Sequence, residues 1–148
     1  MDRSKFDISV TALFGGGVNE QFLAPDIRYR AVFPKSIPGN SHWMKLLTPT
    51  QLHRLCVKET YDVEVSYLEG PSARVVSGCG APDTKLVSWI HVEQHTVKAA
   101  ARAFRNAKEA EACYRRFDRT VCVSQYVRDD FCSLISGLRS VLVLYNTV

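Results

Sequence analysis

The chain has 148 residues, 46% of them hydrophobic, and a formal net charge of +4 at pH 7. That length suits one domain of ~100–200 residues, no apolar run approaches the ~20 residues that span a bilayer, and the polar opening MDRSKFD leads into no signal-type apolar stretch; a cytoplasmic chain is expected. Its basic residues are spread out apart from Arg115, Arg116 and Arg119, which excludes the dense stripe of a nucleic-acid domain and leaves room only for weak attraction to phosphates or to the head groups at a membrane surface.

Strand-like and helix-like segments alternate along the chain, the signature of βαβ units and a parallel sheet. Asp7–Phe14 reads as a strand rich in β-branched and apolar residues, ended by Gly15–Gly17. Ile27–Phe33 alternates as a second strand. Pro34–Asn40 is a loop dense in Pro and Gly. Thr48 suits the N-cap of a helix, with Pro49 at its first position, Gln51 completing a capping box, and Leu47 and Leu52 spaced for a hydrophobic staple. This helix buries Leu52, Leu55 and Cys56 and ends near Lys58.

Val63–Leu68 is the third strand. Gly70 and Pro71 start a short helix that runs to about Ser77, where Gly78 and Gly80 stop it. Lys85–His91 is the fourth strand. An alanine-rich helix is predicted from about Val97 to Phe117. Thr120–Val123 is a short strand, buried on both faces if it lies mid-sheet. Ser124 caps a helix whose apolar face is Val127, Phe131, Leu134 and Ile135, and Gly137 ends it. Ser140–Tyr145 is the last strand. The expected architecture is one α/β domain, a Rossmann-like parallel sheet flanked by helices. The cysteines, Cys56, Cys79, Cys113, Cys122 and Cys132, are odd in number and show no C-x-x-C spacing, so core thiols in a reducing compartment are expected.

In an open parallel sheet, ligands bind beyond the carboxyl ends of the strands. The residues there are Gly15–Gly17, Glu69–Gly70–Pro71, His91–Val92–Glu93 and Ser124. Gly15, Gly16 and Gly17 offer backbone N–H groups to a phosphate, or form a flexible turn; they match neither G-x-G-x-x-G nor a P-loop. His91, Glu93 and His95 stand as H-x-E-x-H, the wrong order for a zinc-binding helix. His91 at a strand end suits a hydrogen bond to a sugar hydroxyl or phosphate, or a proton shuttle; the alternative is a structural histidine satisfied by a backbone carbonyl. Glu69 suits sugar hydroxyls or the positive end of the following helix. It has no paired carboxylate, which argues against a glycoside hydrolase. Ser124 reads first as an N-cap.

The segments Tyr61–Gly78, Lys85–Glu93, Tyr114–Phe131 and Val141–Val148, in that order, resemble the N-terminal domain of bacterial glycosyltransferase family 4 enzymes of the GT-B fold. Asp7–Phe14 with the following GGGVNEQF is similar to that family's second strand and loop. The F-D-x-x-V-C-V-S-x-x-V element and the strand-end W-x-H carry the resemblance together. It implies transfer of a sugar from a nucleotide-sugar donor to a glycan or lipid-linked acceptor, with retention at the anomeric carbon and no cofactor or metal. The N-terminal domain would supply mainly acceptor contacts and a second domain would hold the donor. His91 matches the histidine that contacts the donor sugar. Val123 and Ser124 match a segment that shapes the cleft wall, and Asn146 matches the start of the interdomain connection.

The family also implies a central strand and Gly-rich loop ahead of Met1, and a donor domain after Val148. The chain is therefore expected to be the acceptor-side part of the enzyme, inactive alone, with exposed sheet edges that favour self-association. Two other readings compete: a Rossmann-like domain for a different nucleotide, and a non-catalytic interaction module that partners a separate donor-binding chain.

Overall fold

Parallel strands with helical crossovers organise the chain, as the alternation of segments predicts. The computed structural model of the chain describes Asp2, residues 4–35 and residues 40–146. The strands are β1 (Ser9–Phe14), β2 (Arg28–Phe33), β3 (Val63–Ser66), β4 (Lys85–Ile90), β5 (Arg119–Cys122) and β6 (Val141–Val143). The α-helices are α1 (Asn40–Trp43), α2 (Pro49–Cys56), α3 (Pro71–Val76), α4 (Val97–Ala100), α5 (Ala107–Tyr114) and α6 (Gln125–Leu134). Two 3-10 turns, Val18–Phe22 and Met44–Leu46, were not read from the sequence. Part of the predicted Pro34–Asn40 loop, residues 36–39, lies outside the described residues; Asn40 itself opens α1.

The strands form two parallel sheets, β1-β2 and β3-β4-β5-β6. In the larger sheet each strand is added beside its predecessor, through crossovers that contain α3, then α4 and α5, then α6. Right-handed crossovers that advance in one direction place every helix on the same face. The core lies between that face and the helices. Leu86, Ile90 and Cys122 from the sheet meet Ala73, Val76, Ala110, Tyr114, Val127 and Phe131 from the helices. Thr120, Val121 and Cys122 are all buried, as expected for a strand inside the sheet.

The opposite face of the larger sheet is open. Register places Val65 beside Val87, Trp89 beside Val121, and Val121 in turn beside Leu142. Val63, Val65, Tyr67, Leu142 and Leu144 on this face are 42–62% exposed. The smaller sheet joins the body through α2. Leu52 and Cys56 of α2, with Met44, pack between Val75 of α3 and the Leu13 and Val32 side chains of β1 and β2.

Local chemistry sets most helix starts. Thr48 Oγ1 accepts from the Gln51 amide at 3.2 Å, and Gln51 Oε1 accepts from the Thr48 amide at 2.8 Å, which is the predicted capping box. Ser124 Oγ accepts from the Val127 amide at 3.2 Å. Three expectations need correction. The predicted Val97–Phe117 helix is two helices, α4 and α5, because Asn106 caps α5 by accepting from the Glu109 amide at 2.9 Å. Tertiary contacts override alanine's propensity there: Phe104 is buried, and Arg105 donates to the Lys45 and Leu46 carbonyls at 2.7 and 2.8 Å. The strands are also shorter than read, β3 ending at Ser66 and β6 at Val143. Finally, Cys132 is exposed, unlike the other four cysteines, because it falls off the apolar stripe of α6.

Arg74 is the residue that sequence reading missed. Its guanidinium is fully buried, yet each of its three nitrogens donates a hydrogen bond. It donates to the Met44 and Leu47 carbonyls at 2.7 Å each, and to the two Glu109 oxygens at 3.2 and 3.1 Å. Arg74 therefore locks the 44–47 segment and α5 onto α3.

Candidate functional site at the strand ends

The carboxyl ends of β3 and β4 bring Glu69, Gly70 and His91 together. Glu69 Oε2 accepts from the His91 amide at 3.1 Å, tying the two strand ends. Glu69 thus has a structural partner that neither sequence reading supplied. Gly70 has φ +80°, a conformation that other residues rarely adopt, and its amide donates to the Tyr114 hydroxyl at 3.1 Å. Burial raises the Tyr114 hydroxyl pKa well above the ordinary phenol range, against the lowering effect of that amide, so it stays protonated and neutral.

The His91 ring lies on the open sheet face, in an aromatic shelf. It stacks on Trp89 with centroids 6.3 Å apart and meets Tyr67 edge-on at 4.9 Å. Tyr67 and Trp89 are themselves 5.6 Å apart. Strand alternation produces the shelf, since Trp89 and His91 are two residues apart and Tyr67 continues the row of Val65. Trp89 Nε1 and His91 Nε2 are buried without a hydrogen-bond partner among the described residues. Buried polar nitrogens are normally paired, so these two are the unsatisfied positions of the shelf, an indole donor and an imidazole nitrogen covered by their neighbours.

The remaining candidates lie elsewhere. Ser124 is engaged as the α6 cap. Glu93 is exposed in the loop after β4. That loop is anchored by Asp130 of α6, whose carboxylate accepts from the Gln94 and His95 amides at 2.6 and 3.1 Å. His95 has φ 59°, and its imidazole faces Asp130 at 3.8 Å. His91, Glu93 and His95 do not bring ligand atoms together among the described residues. The Gly15–Gly17 loop belongs to the smaller sheet. Gly15 donates to the Phe33 carbonyl at 2.9 Å, and Gly17 donates to Glu20 Oε1 at 3.1 Å. The Glu20 carboxylate, which also accepts from the Tyr29 hydroxyl at 2.6 Å, faces the loop with negative charge and disfavours a phosphate there.

The basic cluster is likewise occupied. Arg115 donates to Glu111 and to the Ser136 carbonyl, Arg116 to the Ser77 and Cys79 carbonyls, and Arg119 to Ser140. Tyr67, Trp89 and Asp130 were missed as functional candidates. The period-two spacing of Trp89 and His91 was the available signal for Trp89, and that of Val65 and Tyr67 for Tyr67; nothing local marks Asp130.

Fold and site together define an α/β protein with a Rossmann-like parallel sheet and an aromatic shelf at its strand ends. No helix among the described residues is long and apolar enough to cross a membrane. No family model matches the chain, and neither a curated protein nor a solved structure matches it.

Proposed function

We propose that the chain is the acceptor-side domain of a retaining glycosyltransferase that uses a nucleotide-sugar donor and acts with a separate donor-binding domain. The observation that carries this reading is the shelf of Tyr67, Trp89 and His91, with two unpaired ring nitrogens at the strand ends. A sugar ring presents an apolar C–H face and a rim of hydroxyls. Aromatic rings take the first, and the buried nitrogens of His91 and Trp89 reach the second once the shelf rings turn to uncover them. His91 is the residue in contact with the reacting sugar. Glu69 fixes the His91 backbone, the Gly70 amide is held by Tyr114, and Glu93 and Ser124 are outlying candidates of the same strand-end region. Gly15, Gly16 and Gly17 are the phosphate-side candidates, against the charge of Glu20.

Saturation-transfer NMR on the purified chain, with UDP-hexoses and oligosaccharides, tests this. Sugar protons are expected to receive saturation from the aromatic shelf. His91→Ala should abolish the effect while circular dichroism stays native. Absence of saturable binding to every sugar and nucleotide sugar, or equal binding by the folded His91→Ala variant, overturns the reading.

The open apolar face favours a second reading, a non-catalytic interaction module. Val63, Val65 and Leu142 lie away from the strand-end shelf and offer a protein-sized surface rather than a sugar subsite. On that reading sugars do not bind, and a donor-binding chain or a second copy of this one covers the face.

A further inference from the structure

One group of side chains on the covered face of the sheet has no part in the strand-end site. His53 stands on α2, Glu64 on β3, and Cys79 in the turn after α3. An imidazole nitrogen, a carboxylate oxygen and the thiol sulfur of these residues all lie within 4.8 Å of one another. His53 Nε2 is 2.8 and 3.1 Å from the two Glu64 oxygens. Donor atoms bound ~2.0–2.3 Å from a tetrahedral ion stand roughly 3.3–3.8 Å apart, so shifts of about 1 Å close the three around one ion.

The fold builds this proximity deliberately. A Cβ on Gly78 would lie 2.0 Å from the Pro49 carbonyl oxygen, so only glycine lets the turn reach the first residues of α2. Arg116 holds the same turn by donating to the Ser77 and Cys79 carbonyls at 2.5 and 2.7 Å. Thr84, which donates to the Tyr61 carbonyl at 2.7 Å, lies within hydrogen-bonding reach of the Cys79 thiol. Glu64 is 7% and Cys79 2% exposed, and the His53 side chain is 13% exposed.

Charge and donor type choose the ion. A thiolate and a carboxylate carry two negative charges, which burial alone makes costly and a divalent cation neutralises. Sulfur and imidazole exclude magnesium and calcium, which take oxygen ligands, and suit zinc. We propose that His53, Glu64 and Cys79 form a zinc site, with water in the fourth position. The ligands are Nε2 of the neutral imidazole, one carboxylate oxygen and the thiolate sulfur. On binding, the Cys79 S–H bond breaks, a zinc–sulfur bond forms and the proton passes to solvent; no electron is transferred.

The site is separate from the aromatic shelf. Glu64 pairs with Leu86 on the helix-covered side, whereas His91 lies five residues further along, roughly 16 Å by strand rise, on the open side. Zinc therefore ties α2, β3 and the turn after α3, and it acts on stability rather than on sugar contacts.

The test uses the full chain, stripped with a chelator and titrated with Zn²⁺ or Co²⁺. One ion per chain by elemental analysis is expected. A thiolate-to-cobalt charge-transfer band with tetrahedral visible bands, and a rise in Tm with zinc, should accompany it. Cys79→Ser and His53→Asn should weaken binding by more than the ~10–100-fold that loss of an outer-shell partner costs. Cys132→Ser, which alters the exposed thiol, should leave the cobalt spectrum unchanged. A wild-type chain that shows no thiolate–cobalt band contains only a hydrogen-bonded triad, and the proposal fails. A band lost in Cys132→Ser also overturns it, without requiring the core variants to fold.

Discussion

Arg74 and Glu109 show how a single buried pair organises this protein. A guanidinium with no exposed surface is tolerated because two carbonyls and a carboxylate meet it. Burial pushes the Glu109 carboxyl up, but hydrogen bonds from Arg74 and the Arg105 amide, with both guanidinium charges, outweigh it and hold the group below its ordinary value of 4.5. A carboxyl depressed in the folded state contributes stability above the unfolded value, and that contribution is lost as pH falls through the folded one. Urea midpoints of the wild type should therefore drop as pH is lowered below about 4.5, and Glu109→Gln should lack this component. At pH 7, Glu109→Ala leaves Arg74 charged and unpaired in the interior, and a loss of about 3–5 kcal/mol is expected by urea denaturation. Neither residue stood out in the sequence. Arg74 read as part of a short helix, and its partner lies 35 positions away.

Helix starts were legible because their chemistry is local. Thr48, Pro49 and Gln51 lie within four positions, and Ser124 directly precedes an apolar stripe. The α4–α5 break was not read, because a run of alanines favours continuous helix and outweighs the local Asn106 cap, while packing of Phe104 and the Arg105 hydrogen bonds support the break. Asn106 then acts as the second start. Asn106→Ala and Ser124→Ala should each cost about 1 kcal/mol in denaturant midpoint experiments. The two losses should add, since the caps belong to different helices. Non-additivity beyond about 0.5 kcal/mol would show that the helices share more than their common core. At the strand ends, the placement of His91 followed from strand alternation, whereas the anchoring of its loop by Asp130 did not.

The two-sheet arrangement leaves one broad apolar surface and unpaired strand edges among the described residues. Exposed patches of this kind promote association. Sedimentation velocity should show a concentration-dependent rise in mass for the wild type. The double variant Val65→Lys and Leu142→Lys should shift the chain toward monomer, with native circular dichroism. Both residues project from the open face, so the substitutions bury no charge. A wild type that stays monomeric across a hundredfold concentration range, on the order of the span such assays cover, would show that the face is stable in water.

Strand and helix type, the parallel sheet and the Thr48 and Ser124 caps were determined by the sequence alone, because apolar period and capping chemistry act over a few neighbouring residues. Tertiary structure alone decided which face of the sheet is covered, that Arg74 reaches Glu109, and that His53, Glu64 and Cys79 meet. The physical reason is common to all three. Crossover handedness and chain closure bring together side chains tens of residues apart, and no local pattern records which ones will touch.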